Sequence, residues 1–187
     1  VIPVQYTNAG EFMGNGLAYV AKKNASGEVK YGYINEKGEE VIPCQYEDAG
    51  DFSNNGLAYV GLDNEDENIL YGYINEEGEV VIDFQYIKAR KFGKKNYAYV
   101  KKMDEQGEKQ AGFIDSKGRW IEAKKYDMLV DYQSLTGYKK NDVDTWLGWI
   151  NYDDQTQYDL IQDGEVIASG IDDIPILMGE KILVAVS

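Results

Sequence analysis

The chain has 187 residues, with 33 Asp and Glu against 19 Lys and Arg, for a formal net charge of −14. A surface this acidic repels phosphate backbones and anionic lipid, so nucleic-acid and membrane-surface partners are not expected. The chain has no histidine, which removes histidine triads, histidine general bases and histidine metal ligands together, and its one cysteine, Cys44, can close no internal disulfide.

Hydrophobic residues make up 43%, enough for a packed core, and tyrosine is unusually common at 16 copies. Tyr favours half-buried sheet faces, having an apolar body and a polar tip. No apolar run approaches the ~18 residues of a membrane span, so no insertion is expected. Cys44 stands in an apolar stretch and reads as a small core residue.

Taken in chain order, the first 40 residues are written again. Laying 1–40 over 41–80 gives 23 identities without a gap: VIPVQY over VIPCQY, GLAYV over GLAYV, YGYINE over YGYINE. A third copy at 81–120 carries VIDFQY, NYAYV and AGFIDSKG. A divergent fourth spans 121–151, with Tyr126, Tyr132 and LGWIN at Leu147, and a degenerate capping copy spans 152–187. A fixed period of this length marks a tandem array whose terminal units depart from the pattern. The chain opens in mid-pattern, as a piece of a longer protein would.

Within the first copy, Leu17–Val20 alternates, a polar loop follows near Asn24–Gly27, and Tyr31–Ile34 alternates again. Asn35–Gly38 is a turn with Gly where a positive φ is needed, and Glu40–Ile42 is a third strand ended by Pro43. Each unit is therefore expected to be a three-stranded antiparallel meander. A linking segment, YTNAGEFMGN or YEDAGDFSNN, leads to the next unit, and its recurring Tyr, Ala and Phe predict that it is packed. Alternation places Ala18, Val20, Gly32 and Ile34 on a small aliphatic face. Leu17, Tyr19, Tyr31 and Tyr33 fall on a tyrosine-rich one that is expected to be partly wet.

GLAYV, then [Y]G[Y]IN-x-x-G-x-x-VIP-x-Y-x-x-A-x-x-F, resembles the bacterial WG-repeat family over roughly residues 1–151. The Trp of that family's dipeptide is Tyr31, Tyr71, Ala111 and Leu147 here, while Gly32, Gly72, Gly112 and Gly148 keep its Gly. The resemblance implies a β-rich repeat array of undefined biochemical role, with binding or scaffolding as the expectation. It also favours the bacterial surface or extracellular space over the cytoplasm, and it brings no catalytic residues.

Two kinds of candidate chemistry stand out. The run Asp63–Asn68 is rich in oxygen ligands but fails the EF-hand spacing, with Asn68 where Gly is required and Ile74 at the twelfth position. It reads as a solvated hairpin tip, as do Asp142, Asp144, Asp153 and Asp154. No metal and no cofactor are expected. The aromatic columns are the better candidate: Tyr19, Tyr59 and Tyr99 hold one repeat position, and Tyr33, Tyr73, Phe113 and Trp149 another. Such rows stack sugar rings or anchor peptides, and they also simply stabilise sheets through cross-strand pairs.

The expectation is an all-β open, elongated array. A small β-propeller is the alternative, should the linking segment supply a fourth strand. The function expected is a non-enzymatic module that binds a protein or peptide. The alternatives are a carbohydrate or cell-wall ligand held by the tyrosine row and, more remotely, a glycoside hydrolase run by two carboxylates.

Overall fold

The computed structural model describes residues 5–64, 68–93, 96–120, 128–131, 145–152, 155–162, 165–171, 176–178 and 181–183. Among these every regular element is a β-strand. The residues cluster into two compact units, Val1–Lys102 with Ile114–Arg119, and Met103–Phe113 with Trp120–Ser187.

The first unit is built on two sheets of the same strand order and matching register. One is β1 (Asn8–Ala9), β2 (Leu17–Lys23), β3 (Val29–Asn35) and β4 (Glu40–Tyr46), hydrogen-bonded in that order. The next is β5 (Asp48–Ala49), β6 (Ala58–Asp63), β7 (Ile69–Ile74) and β8 (Val80–Tyr86), again in order. The third repeat begins the same way, with β9 (Lys88–Ala89) antiparallel to β10 (Tyr97–Met103) through Val100↔Ala89, and β11 (Lys109–Asp115) follows in sequence. Each full sheet thus has four strands rather than the three expected. The extra strand is the linking segment, which extends the ladder by two residues; Thr7 N donates to Ala21 O at 2.7 Å and Gly10 N to Tyr19 O at 2.9 Å. None of the described sheets closes into a barrel.

Both hairpin turns are capped by one device. Asn35 Oδ1 accepts from the backbone N of Lys37 and Glu39, each at 3.0 Å, and Gly38 takes φ 81°. Asn75 with Gly78 and Asp115 with Gly118 repeat it. In the other turn, Asn24 and Asp104 accept from the residues two and four ahead of them. The side-chain oxygen mimics a backbone turn, and Gly supplies the left-handed residue that closes a short hairpin.

The strand register puts Ala18 opposite Ile34, Tyr19 opposite Tyr33 and Val20 opposite Gly32. The two faces therefore sort as the alternation predicts. The aliphatic face is buried, with Val20 0% exposed, and the tyrosine-rich face is partly wet as expected, with Tyr19 and Tyr31 half-buried; of its tyrosines only Tyr33, 0% exposed, is fully covered. What covers Tyr33 is the next linking segment. Tyr33 OH donates to Gly50 O at 2.8 Å, and its ring lies 4.8 Å from that of Phe52. Tyr73 does the same one repeat on, donating to Arg90 O at 2.8 Å and lying 4.9 Å from Phe92. The first two repeats each clasp their successor through one tyrosine.

The outer strands are bulged. Tyr31 faces Tyr46 and Tyr33 faces Ile42, so β4 uses four residues where β3 uses two. The bulge runs over Gly32, where a Cβ would meet Ile42 O at 2.5 Å and Pro43 C and Cys44 N at 2.7 Å. Gly72 lies under the same bulge of β8, where a Cβ would meet Ile82 O at 2.6 Å. Cys44 is half-buried within the bulge, its backbone N donating to Glu40 Oε1 at 2.7 Å. Burial, then the nearby Glu40 carboxylate, pushes its thiol up to about 11.

The second unit holds a sheet of β12 (Met128–Asp131), β13 (Thr145–Tyr152), β14 (Gln155–Gln162) and β15 (Glu165–Ile171), in that order. A separate hairpin joins β16 (Ile176–Met178) to β17 (Lys181–Leu183). LGWIN lies on β13, the second strand of its sheet, whereas YGYIN lies on the third strand, β3. The likeness of the two stretches is thus one of letters and not of place. The hairpin from β13 to β14, paired through Tyr152↔Gln155, spans the sequence boundary at 151–152.

Candidate functional site

The two aromatic columns have different surroundings. Tyr33 and Tyr73 are each 0% exposed, and Phe113 is buried, its ring 5.9 Å from that of Trp146. These rings are core side chains with no face open to a ligand. Trp149 stands opposite Met128 and Tyr158 in the ladder, outside this column, and its side chain falls outside the described part of the structure. In the other column Tyr99 is buried, while Tyr19 and Tyr59 are half-buried.

Tyr19 and Tyr59 each have an aromatic neighbour that the column of candidates omitted. Tyr31 is diagonal to Tyr19 across β2 and β3, with ring centroids 6.3 Å apart. Tyr71 meets Tyr59 edge-on at 6.0 Å. Diagonal neighbours on one sheet face come within reach of aromatic side chains. The sequence signal was available: in YGY the first Tyr lies two residues before the clasp Tyr, and hence on the same face.

Two carboxylates join these pairs from the linking segment of the second repeat. Tyr71 OH donates to Asp48 Oδ2 at 3.1 Å. Asp51 Oδ1 is buried without a hydrogen-bond partner, beside Gly10 and the Tyr19 ring. Burial first, and then the Asp48 charge and hydrogen bond, push the Tyr71 phenol up to about 12. Burial followed by Asp51, Tyr31 and Asp48 raises Tyr19, and burial followed by Asp48 raises Tyr59, with Arg90 opposing.

These shifts give an alkaline prediction. Burial raises the phenols of Tyr33 and Tyr73 well above their usual 10. Above pH 10 the unfolded chain releases protons that the native fold retains, so this stability is complete below 10 and declines as pH rises through about 12 for Tyr71. Phenolate absorbance should rise in two phases, with the later one coinciding with loss of the β-sheet circular dichroism. A single phase near 10 with the fold intact would contradict the burial of the clasp tyrosines.

The acidic turn serves its own backbone, since Asn64 Oδ1 accepts from Asn68 N at 2.9 Å. Residues 65–67, Asp142, Asp144, Asp153 and Asp154 lie outside the described residues. No described helix is long and apolar enough to cross a membrane.

The family model of the WG containing repeat matches residues 31–65 and 71–105. Both segments are WG repeats. No curated protein matches the chain. In these WG repeats the two letters of the family's dipeptide do separate jobs. The aromatic position, Tyr31 or Tyr71, forms the half-exposed pair; the Gly, Gly32 or Gly72, admits the bulge of the outer strand.

Proposed function

We propose that the chain is a non-enzymatic repeat module that binds a protein or peptide presenting Lys or Arg side chains. The binding surface is the Tyr19–Tyr31 and Tyr59–Tyr71 pairs. The observation that carries this reading is the pairing of half-exposed phenol rings with the Asp48 and Asp51 carboxylates, one aromatic pair in each of two consecutive repeats. A cation over a tyrosine face gains ~0.5–1 kcal/mol at an exposed site, and adjacent carboxylates add to it. The net charge of −14 steers basic partners towards the molecule. Neutral sugars could stack on the rings and donate hydroxyls to the acids but would draw nothing from the net charge of −14, which places the carbohydrate reading second.

The test is a fluorescence-anisotropy titration with a labelled Lys/Arg-rich dodecapeptide, its Glu-rich counterpart and a chito-oligosaccharide. The basic peptide should bind and weaken on the order of tenfold as salt rises through the Debye-screening range. Tyr59→Ala and Asp48→Asn should each reduce affinity roughly two- to fivefold. Absence of basic-peptide binding at low salt would overturn the reading. Sugar binding that is lost in Tyr59→Ala would favour the carbohydrate reading. Glycan turnover abolished by one carboxylate substitution would overturn the non-enzymatic one.

A further inference from the structure

The clasp repeats along the chain, but its first receiving face is uncovered. Phe52 and Phe92 are 2% and 4% exposed, each held against the clasp tyrosine of the repeat before it. Phe12, at the same repeat position, is 40% exposed. The neighbouring alanine follows suit: Ala49 and Ala89 are 5% and 6% exposed, whereas Ala9 is exposed. Between them lies Gly10, whose carbonyl is the counterpart of the Gly50 and Arg90 carbonyls that accept the tyrosine hydroxyls. Two positions that are core in the second and third repeats are therefore surface in the first.

We infer that the face formed by Ala9, Gly10 and Phe12 docks one further β-sheet of the WG-repeat kind. That sheet presents a tyrosine whose ring covers Phe12 and whose hydroxyl donates to the Gly10 carbonyl. The occupant follows from continuity with the two interfaces already built, since the receiving segment has the same Ala, Phe and two-residue strand in all three repeats. A second copy of this chain is a poor occupant. Its Tyr33 and Tyr73 already hold its own Phe52 and Phe92. The sheet that fits brings a clasp tyrosine with no successor of its own.

The test compares the chain with a fusion in which a further copy of residues 1–40 precedes Val1. The added copy's Tyr33 then stands 17 positions before Gly10, the separation between Tyr33 and Gly50. In the chain as it stands, Phe12→Ala should move the thermal midpoint by under about 2 °C, against roughly 10 °C for Phe52→Ala. In the fusion, Phe12→Ala should cost roughly as much as Phe52→Ala. Phe12→Asp, tolerated in the present chain, should be comparably damaging there. Equal effects of Phe12→Ala in chain and fusion would overturn the inference. Sedimentation of the unfused chain gives an independent check: a dimer that dissociates on Phe12→Asp would assign the face to a second copy and overturn the occupant proposed.

Discussion

Gly32→Ala should destabilise the first unit by roughly 2–4 kcal/mol, measured as a lower urea midpoint at unchanged m-value. Two effects of opposite sign compete at this position. Adding a methyl where φ is negative restricts the unfolded chain and ordinarily gains ~0.4–1 kcal/mol. Against this, the new Cβ would stand 2.5 Å from Ile42 O and 2.7 Å from Cys44 N and Pro43 C. All three are backbone atoms of the bulge, so no side chain can swing aside to relieve the contact. The steric cost therefore wins. Gly14→Ala is the internal control, because its Cβ would meet nothing within 4 Å. It should be neutral or slightly stabilising. If Gly32→Ala behaved like Gly14→Ala, the bulge would not lie where the register places it.

Tyr73→Ala should cost about 3–5 kcal/mol, the range for emptying a large aromatic site in a core. Tyr73 is 0% exposed and is packed against Phe92 across the boundary between repeats. Tyr73→Phe keeps the ring and removes only the hydroxyl that donates to Arg90 O. Leaving that carbonyl without its donor should cost about 1–2 kcal/mol. Tyr59→Ala, at a half-buried ring on the proposed binding surface, should cost less than Tyr73→Ala while having the larger effect on peptide affinity. Opposite rankings for stability and for binding are what separates a clasp tyrosine from a surface tyrosine.

What the letters disclosed and what they hid divides along sequence distance. The period, the turns and the two faces are local facts. Asn35 and Gly38 write a short turn in four residues, and the alternation about Tyr19 and Tyr33 predicts their shared face. The two-residue strands β1, β5 and β9 escaped because no alternation can be seen in two residues. The burial of Tyr33 escaped because its partner is the Gly50 carbonyl, 17 residues ahead, which no strand pattern encodes. Such contacts put Tyr33 and Tyr73 in the core; Phe113 is buried against Trp146 and Tyr99 is buried too, while Tyr19 and Tyr59 are half-buried beside Tyr31 and Tyr71. Trp149 was misplaced for a related reason. LGWIN looks like YGYIN, but a strand's place in a sheet is set by what pairs with it, and β13 pairs with β12 and β14 as a second strand.

YGYIN is an architectural unit whose second tyrosine, Tyr33 or Tyr73, fastens its repeat to the next. A double-mutant cycle between Tyr73 and Phe92, read by urea denaturation, tests it most directly. The losses from Tyr73→Ala and Phe92→Ala should be strongly non-additive. The coupling should be about 0.5–1.5 kcal/mol, as for two rings in contact. Additive losses would mean that the two rings do not share an interface, and the clasp would not exist.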